Sequence, residues 1–315
     1  MVKAVLHFRA GAGFQARLAE RESDWLRIAI VDEEDAAAFA HEMRDADVLL
    51  HVLKRVTAEM IAGAPQLRLI QKIGVGVNTI DLEAARAHGV AVANMPGTNS
   101  RAVAEMTLLL ILATLRRLSE LHEATRVGRG WAIDPDFYDR VGEVAGRTIG
   151  LVGFGAIPRL LAPVLSAMGA RVIYTARRPR ADAGIEWRPL PDLLAESHVV
   201  SLHVPQTPET ERMIDAAAIG RMRQGAMLIN TARGGLIDEP ALIDSLKSGR
   251  LGAAGLDVFV EEPAHSGNPL FRLPNVIVSP HAAWLTPETL NRSLGIAIEN
   301  CRRLRDGEDL LHRVP

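Results

Sequence analysis

The sequence predicts an α/β protein made of two Rossmann-like or flavodoxin-like βαβ domains, each with a parallel sheet, and a cleft between them. Three observations lead there. The chain has 315 residues, enough for two domains at roughly 100–200 residues each. Short apolar segments alternate with longer helical patterns from end to end, the signature of parallel sheets covered on both faces. A stretch dense in turn residues, Asn94-Met95-Pro96-Gly97-Thr98-Asn99-Ser100, separates a first βα series from a second.

In the first series Val2–Phe8, Arg27–Val31, Asp47–Val52, Arg68–Ile73 and Val90–Ala93 read as strands, with helices over Ala36–Arg44 and Leu82–His88. Ser100 is placed to cap a long helix from about Arg101 to Arg117, whose mostly apolar surface predicts burial. Gly128–Tyr138 reads as a loop. The second series has strands over Thr148–Val152, Arg171–Thr175, His198–His203, Ala226–Asn230, Gly255–Val258 and Val276–Ser279. Trp284-Leu285-Thr286-Pro287 reads as a second crossover, followed by a last helix from Glu288 to about Arg305 that returns to the first domain. The expected domains are therefore residues 1–97 with 287–315, and residues 98–286.

Composition narrows the function classes. With 36 basic and 38 acidic residues the net charge is −2, which offers no electrostatic footprint for nucleic acid or an anionic membrane. One cysteine, Cys301, excludes an internal disulfide and a thiolate metal cluster, so a reducing compartment and no metal are expected. Cys301 itself reads as a buried thiol. The longest near-continuous apolar stretch, Met106–Leu115, is about half of what spans a bilayer. The N-terminus runs directly into a strand with no signal-peptide pattern, and a cytoplasmic protein is expected.

Gly153-Phe154-Gly155 follows the apolar strand Thr148–Val152, and Ala156-Ile157 opens a helical pattern. In that setting the first glycine makes a tight turn and the second lets the backbone approach a pyrophosphate at the helix N-terminus. Gly153, Phe154, Gly155, Ala156 and Ile157 are therefore candidate cofactor residues. The third motif position is Pro158, which a first helical turn tolerates but which forgoes the close helix–strand contact of glycine. A strand–turn–helix with no ligand would look the same in isolation; the six-strand series turns it into a nucleotide site. The next strand ends Thr175-Ala176-Arg177-Arg178, where an acid would grip a ribose 2′-hydroxyl. Thr175, Arg177 and Arg178 instead suit a 2′-phosphate, so NADP(H) is expected over NAD(H). A solvated basic turn is the plainer alternative.

Three further segments begin at or just beyond predicted strand ends: Asn230-Thr231-Ala232-Arg233-Gly234-Gly235, Gly255-Leu256-Asp257-Val258-Phe259-Val260-Glu261-Glu262-Pro263, and Ser279-Pro280-His281-Ala282-Ala283-Trp284. Ligands in open α/β sheets sit outside those ends, so Arg, Glu and His are placed to converge. With Lys72-Ile73-Gly74-Val75-Gly76-Val77-Asn78-Thr79-Ile80-Asp81, Ala102-Val103-Ala104-Glu105 and Ser201–Thr210, the chain resembles the D-isomer-specific 2-hydroxyacid dehydrogenases over nearly its whole length. Asn78 stands where many relatives carry Asp.

The resemblance implies a first, discontinuous substrate domain and a second domain that binds the nicotinamide cofactor and forms a homodimer. The two domains are expected to close around the cleft. Arg233 would clamp a substrate carboxylate through its planar fork. His281 would donate the proton, and Glu262 would orient that imidazole and favour its charged form. The resemblance further implies that Val75 and Gly76 offer backbone N–H groups to the carboxylate and that Asp257 meets the nicotinamide carboxamide. It places Thr231 and Ala232 beside the ring, and His203, Pro205 and Thr210 along the cofactor. Glu262 argues against formate oxidation, since formate dehydrogenases of the family pair the histidine with glutamine. Trp284 and the arginines lean toward reduction of a glyoxylate- or hydroxypyruvate-type acid with NADPH. A dehydrogenase of a larger 2-hydroxy acid and a non-catalytic, dinucleotide-gated corepressor remain as alternatives.

Overall fold

Val48-Leu49-Leu50 and Ala226-Met227-Leu228-Ile229 are apolar on successive residues, the pattern of strands buried on both faces of a parallel sheet. Two such sheets form, in a computed structural model that describes residues 1–314. Each lies in its own unit, one made of residues 1–99 with the segment from Thr286 onward, the other of Ser100–Leu285.

The first unit holds β1 (Val2–His7), β2 (Leu26–Val31), β3 (Val48–His51), β4 (Leu69–Lys72) and β5 (Ala91–Ala93), all parallel in the order β2-β1-β3-β4-β5. Short helices α1 (Ala12–Ala19), α2 (Ala36–Glu42), α3 (Ala58–Ala62) and α4 (Leu82–Ala87) make the crossovers. Asp35, Thr57 and Asp81 cap the last three by accepting from the backbone N–H three residues on, which relieves an unpaired donor of the first turn. The C-terminal helix, α11 (Pro287–Asp306), buries Leu290, Leu294, Ala297 and Cys301 along one stripe. Asn300 ties that stripe to the sheet by donating to the Gln71 side chain at 2.6 Å, both residues being fully buried. The tail then borders β5, with Val314 N–H donating to Val92 O.

The second unit holds β6 (Thr148–Val152), β7 (Arg171–Thr175), β8 (Glu186–Trp187), β9 (Val199–Leu202), β10 (Ala226–Asn230), β11 (Leu251–Leu256) and β12 (Val276–Val278). The order is β12-β11-β10-β9-β6-β7-β8, again all parallel. Its helices are α5 (Ser100–Leu115), α6 (Leu118–Arg126), α7 (Ala156–Ala167), α8 (Leu190–Glu196), α9 (Ala216–Arg221) and α10 (Glu239–Lys247). Strand order reverses between β6 and β9, which creates the crevice that ligands use in this architecture.

Four local expectations need correction. Ser100 lies inside α5 and is buried rather than capping it. That helix stops at Leu115 because Arg117 takes a left-handed φ of 46°, after which α6 starts in a new direction. The expected loop over Gly128–Tyr138 contains the start of a 3₁₀ helix, Pro135–Arg140, capped by the Asp134 side chain. The strand expected at Gly255–Val258 runs instead from Leu251 to Leu256. Its small residues, Gly252-Ala253-Ala254-Gly255, hide it from a propensity reading, since its stability comes from neighbours on both edges.

Candidate active site

Gly153 closes β6 with φ 99°, and its N–H donates to Thr175 O on β7. A Cβ there would lie 2.7 Å from His203 O at the end of β9, so the turn accepts only glycine. Gly155 caps α7 through its backbone alone, with open space where a Cβ would stand. The N–H groups of Ala156 and Ile157 therefore stand in the first turn of a 12-residue helix with no intrahelical acceptor. Pro158 falls in that turn, where its missing N–H costs no bond, and its ring is buried. A glycine cradle plus helix-terminal donors fits the pyrophosphate of a dinucleotide. Phe154 takes part through its backbone only, because its ring is 5% exposed and lies 4.4 Å from the Tyr174 ring.

β7 ends at Thr175 with no acid following. The loop beyond is pinned at several points: Trp187 Nε1 donates to Ala176 O, Arg180 N–H to the Tyr174 hydroxyl, Arg180 Nη1 to Phe154 O, and Arg159 pairs with Asp182. Arg177 and Arg178 project exposed from this loop, and the Arg177 charge helps hold the Glu209 carboxyl low, after the Thr207 hydroxyl and a backbone amide. On the β9 side His203 is half-buried, its Nε2 lies 2.9 Å from Ser201 Oγ, and desolvation pushes it down to about 3. Desolvation thus favours its neutral form. The Thr210 hydroxyl donates to Pro205 O and accepts from Thr207 N, so it shapes the loop's own turn.

The ends of β10, β11 and β12 carry the second cluster. After β10, buried Asn230 folds the chain back on itself, accepting from Ala232 N and donating to Arg233 O. Buried Thr231 meets the Thr107 hydroxyl of α5 at 2.8 Å. Arg233 follows, with Nη1 donating to Ala232 O at 2.6 Å. Burial lowers its pKa, and attraction from Glu262 opposes that shift. Gly234 permits the next contact. A Cβ on it would lie 1.9 Å from Phe259 C and 2.4 Å from Val260 N, so the Arg233 and Glu262 loops touch backbone to backbone.

Glu262 Oε1 accepts from Phe259 N, and Oε2 lies 2.7 Å from His281 Nδ1. Burial works to raise the Glu262 carboxyl, but the His281 hydrogen bond and charge, the Phe259 amide and Arg233 hold it below its ordinary value. An ionised carboxylate only accepts, so His281 Nδ1 carries a proton and Nε2 is the end left for a reacting group. Arg233, Glu262 and His281 thus interact with one another beyond the ends of β10, β11 and β12 through the Glu262 carboxylate.

Asp257 is engaged by the protein itself. It is fully buried, and its carboxylate accepts from Ser279 Oγ, Ala282 N and Ala283 N. Sequence reasoning passes over Asn230, Gly234 and Ser279; only the Gly234-Gly235 pair carries a visible signal, that of a close approach. In the first unit Val75 and Gly76 occupy the loop after β4, which Asn94 and Met95 hold by bonding Val75 O and Gly74 O. Their N–H groups have no acceptor among the described residues. Among those residues no group of three or more His, Cys, Asp or Glu is arranged to hold a metal, and no helix is long and apolar enough to cross a membrane.

Residues 108–283 match the family model described as D-isomer specific 2-hydroxyacid dehydrogenase, NAD binding domain. D-3-phosphoglycerate dehydrogenase of Mycobacterium leprae is 39% identical over 290 residues, which is 90% of this chain; the chain spans only 54% of that relative's length. Glyoxylate reductase of Aeropyrum pernix is 37% identical over 273 residues, 84% of this chain and 82% of its own. Among solved structures the TT0316 protein of Thermus thermophilus superposes with a TM-score of 0.89 at 35% identity, covering both chains fully.

Proposed function

The chain belongs to the D-isomer specific 2-hydroxyacid dehydrogenases, and on that premise we propose that it reduces a small 2-oxo acid of the glyoxylate or hydroxypyruvate type to the D-2-hydroxy acid, with NADPH as the preferred cofactor. A nicotinamide dinucleotide held at the turn of Gly153–Ile157 would supply a hydride for C2. Arg233 binds the carboxylate and polarises the carbonyl with a guanidinium that is already partly desolvated. His281 gives its Nε2 proton to the carbonyl oxygen, while Glu262 on Nδ1 holds the ring and balances its charge. In the reverse direction the same nitrogen takes the hydroxyl proton. The same reading gives the N–H groups of Val75 and Gly76, which have no acceptor among the described residues, a carboxylate-binding role.

The observation that carries this reading is the 2.7 Å bond between Glu262 and His281, with the half-buried Arg233 charge acting on the same carboxylate. The NADPH preference is supported by the absence of an acid after β7 and the exposure of Arg177 and Arg178. A homodimer formed through the second unit is supported by its exposed apolar residues, with Trp131 96% and Tyr138 69% exposed. Sedimentation at micromolar concentration checks this, a monomer overturning it. The activity is tested by following oxidation of NADPH and NADH with glyoxylate, hydroxypyruvate, pyruvate and bulkier 2-oxo acids. The highest kcat/KM is expected for a two- or three-carbon acid. A bulkier acid turned over fastest overturns the substrate class, and no turnover of any overturns the enzyme.

A further inference from the structure

Asp257 stands immediately beyond β11, and the loop after β12 is wrapped around it. Its main-chain oxygen accepts from His281 N at 2.6 Å, and its own N–H continues the ladder to Asn230 O at 2.9 Å. Oδ1 accepts from Ser279 Oγ at 2.5 Å and from Ala282 N at 2.9 Å, and Oδ2 accepts from Ala283 N at 2.9 Å. One residue therefore bonds residues 279, 281, 282 and 283. In the middle of that span His281 takes φ 53°, a left-handed conformation that a β-carbon disfavours and that persists only where surrounding bonds impose it. A carboxylate has roughly four lone-pair sites. Three of them are filled by this loop, which leaves Oδ2 with a single site for anything outside it.

We infer that Asp257 is the positioning residue for His281: its carboxylate and main-chain oxygen hold the left-handed turn that presents the imidazole to Glu262. This rests on His281 being the proton donor. The geometry makes a specific demand of residue 257. Three donors converge on its side chain, so a group with two acceptor oxygens is needed. An amide of the same shape would turn an NH₂ toward at least one of those donors, and the turn would relax. Displacing a reacting group by about 1 Å costs on the order of 10² in rate. A role confined to the nicotinamide would instead weaken the cofactor.

The test is a double-mutant cycle on the full-length protein, with kcat and cofactor Kd measured for wild type, Asp257→Asn, His281→Asn and the double variant. Asp257→Asn is expected to lower kcat by about 10² with the Kd values of NADPH and NADH within about threefold of wild type. In the His281→Asn background the same change is expected to cost almost nothing further, because its effect travels through an imidazole already removed. Ser279→Ala, which deletes one of the three side-chain donors, is expected to show the same pattern with a smaller loss, about tenfold, and serves if Asp257→Asn does not fold. Losses that multiply in the double variant, or a cofactor Kd that weakens in step with kcat, overturn the inference. An active His281→Asn enzyme overturns the proposed function itself.

Discussion

Arg233 carries a half-buried charge that desolvation disfavours, with Glu262 as its electrostatic counterweight. A guanidinium presents two parallel N–H groups to a carboxylate, and an ammonium cannot reproduce that fork. Arg233→Lys is therefore expected to lower kcat/KM by about 10- to 150-fold, the value of one charge-assisted hydrogen bond. Steady-state kinetics on the best substrate of the panel check this, and a wild-type value removes the carboxylate clamp. Next to it, Gly234 is constrained by space rather than by φ. The β-carbon of Gly234→Ala would lie 1.9 Å from Phe259 C, so one of the two loops must move. Overpacking of this kind costs about 1–3 kcal/mol. Both a lower melting temperature and a lower kcat are expected; a fall in neither means that the two loops are not held together at this point.

At the scale of elements, the turns after β6 and β7 decide cofactor choice. The loop after β7 is tied to Phe154, Tyr174 and Trp187 by Arg180 and Ala176, and Arg177 and Arg178 are not part of those ties. Removing both arginines should leave the fold intact. With Arg177→Ala and Arg178→Ala, most of a 10- to 150-fold preference for NADPH, the range roughly 1.5–3 kcal/mol gives, should vanish through KM. Adding Thr175→Asp should reverse it, because a carboxylate repels phosphate and accepts from a ribose hydroxyl. The measurement is kcat/KM for both cofactors at fixed ionic strength, since the contact is exposed and screened by salt. A wild-type preference for NADH shows the arginines to be a solvated turn.

For the molecule as a whole, histidines held neutral by the fold, His51 fully buried and His203 half-buried, set an acid limit. His51 ends β3 beside His7 on β1 and Lys72 on β4. Desolvation first, then the charges of Lys72 and His7, push it down to about 2. His203 in the second unit is pushed to about 3 by desolvation. The unfolded chain protonates both near 6.5, whereas the folded protein does not. Stability is thus complete above about pH 6.5 and falls as pH drops toward these folded values, by up to about 1.4 kcal/mol per pH unit for each histidine. The melting temperature should fall between about pH 7.5 and pH 5.5, and His51→Asn should flatten that slope relative to wild type. Equal melting temperatures at the two values would falsify the neutral state of the imidazoles at these sites.

Most strands of both sheets, the glycine turn after β6 and the Arg, Glu and His motifs are legible in the sequence because each is a local pattern. A buried parallel strand must be apolar on successive residues, as Val48–Leu50 are, and a tight turn against another backbone must be glycine, as Gly153 is. The true extent of β11 is not legible, because Gly252-Ala253-Ala254-Gly255 has little propensity of its own and becomes a strand only between β10 and β12. The short strand β8 exists for the same reason, paired with β7 over two residues. Asp257 is the clearest case at the site. Its residue type announces a carboxylate beside a strand end, and either a cofactor contact or a loop anchor satisfies that. Only the return of residues 279–283 around it, some 25 positions later in the chain, assigns its oxygens. Residue type limits which bonds a side chain can make; long-range packing decides which of them it makes, because the partners are brought together by the sheet and not by neighbouring sequence.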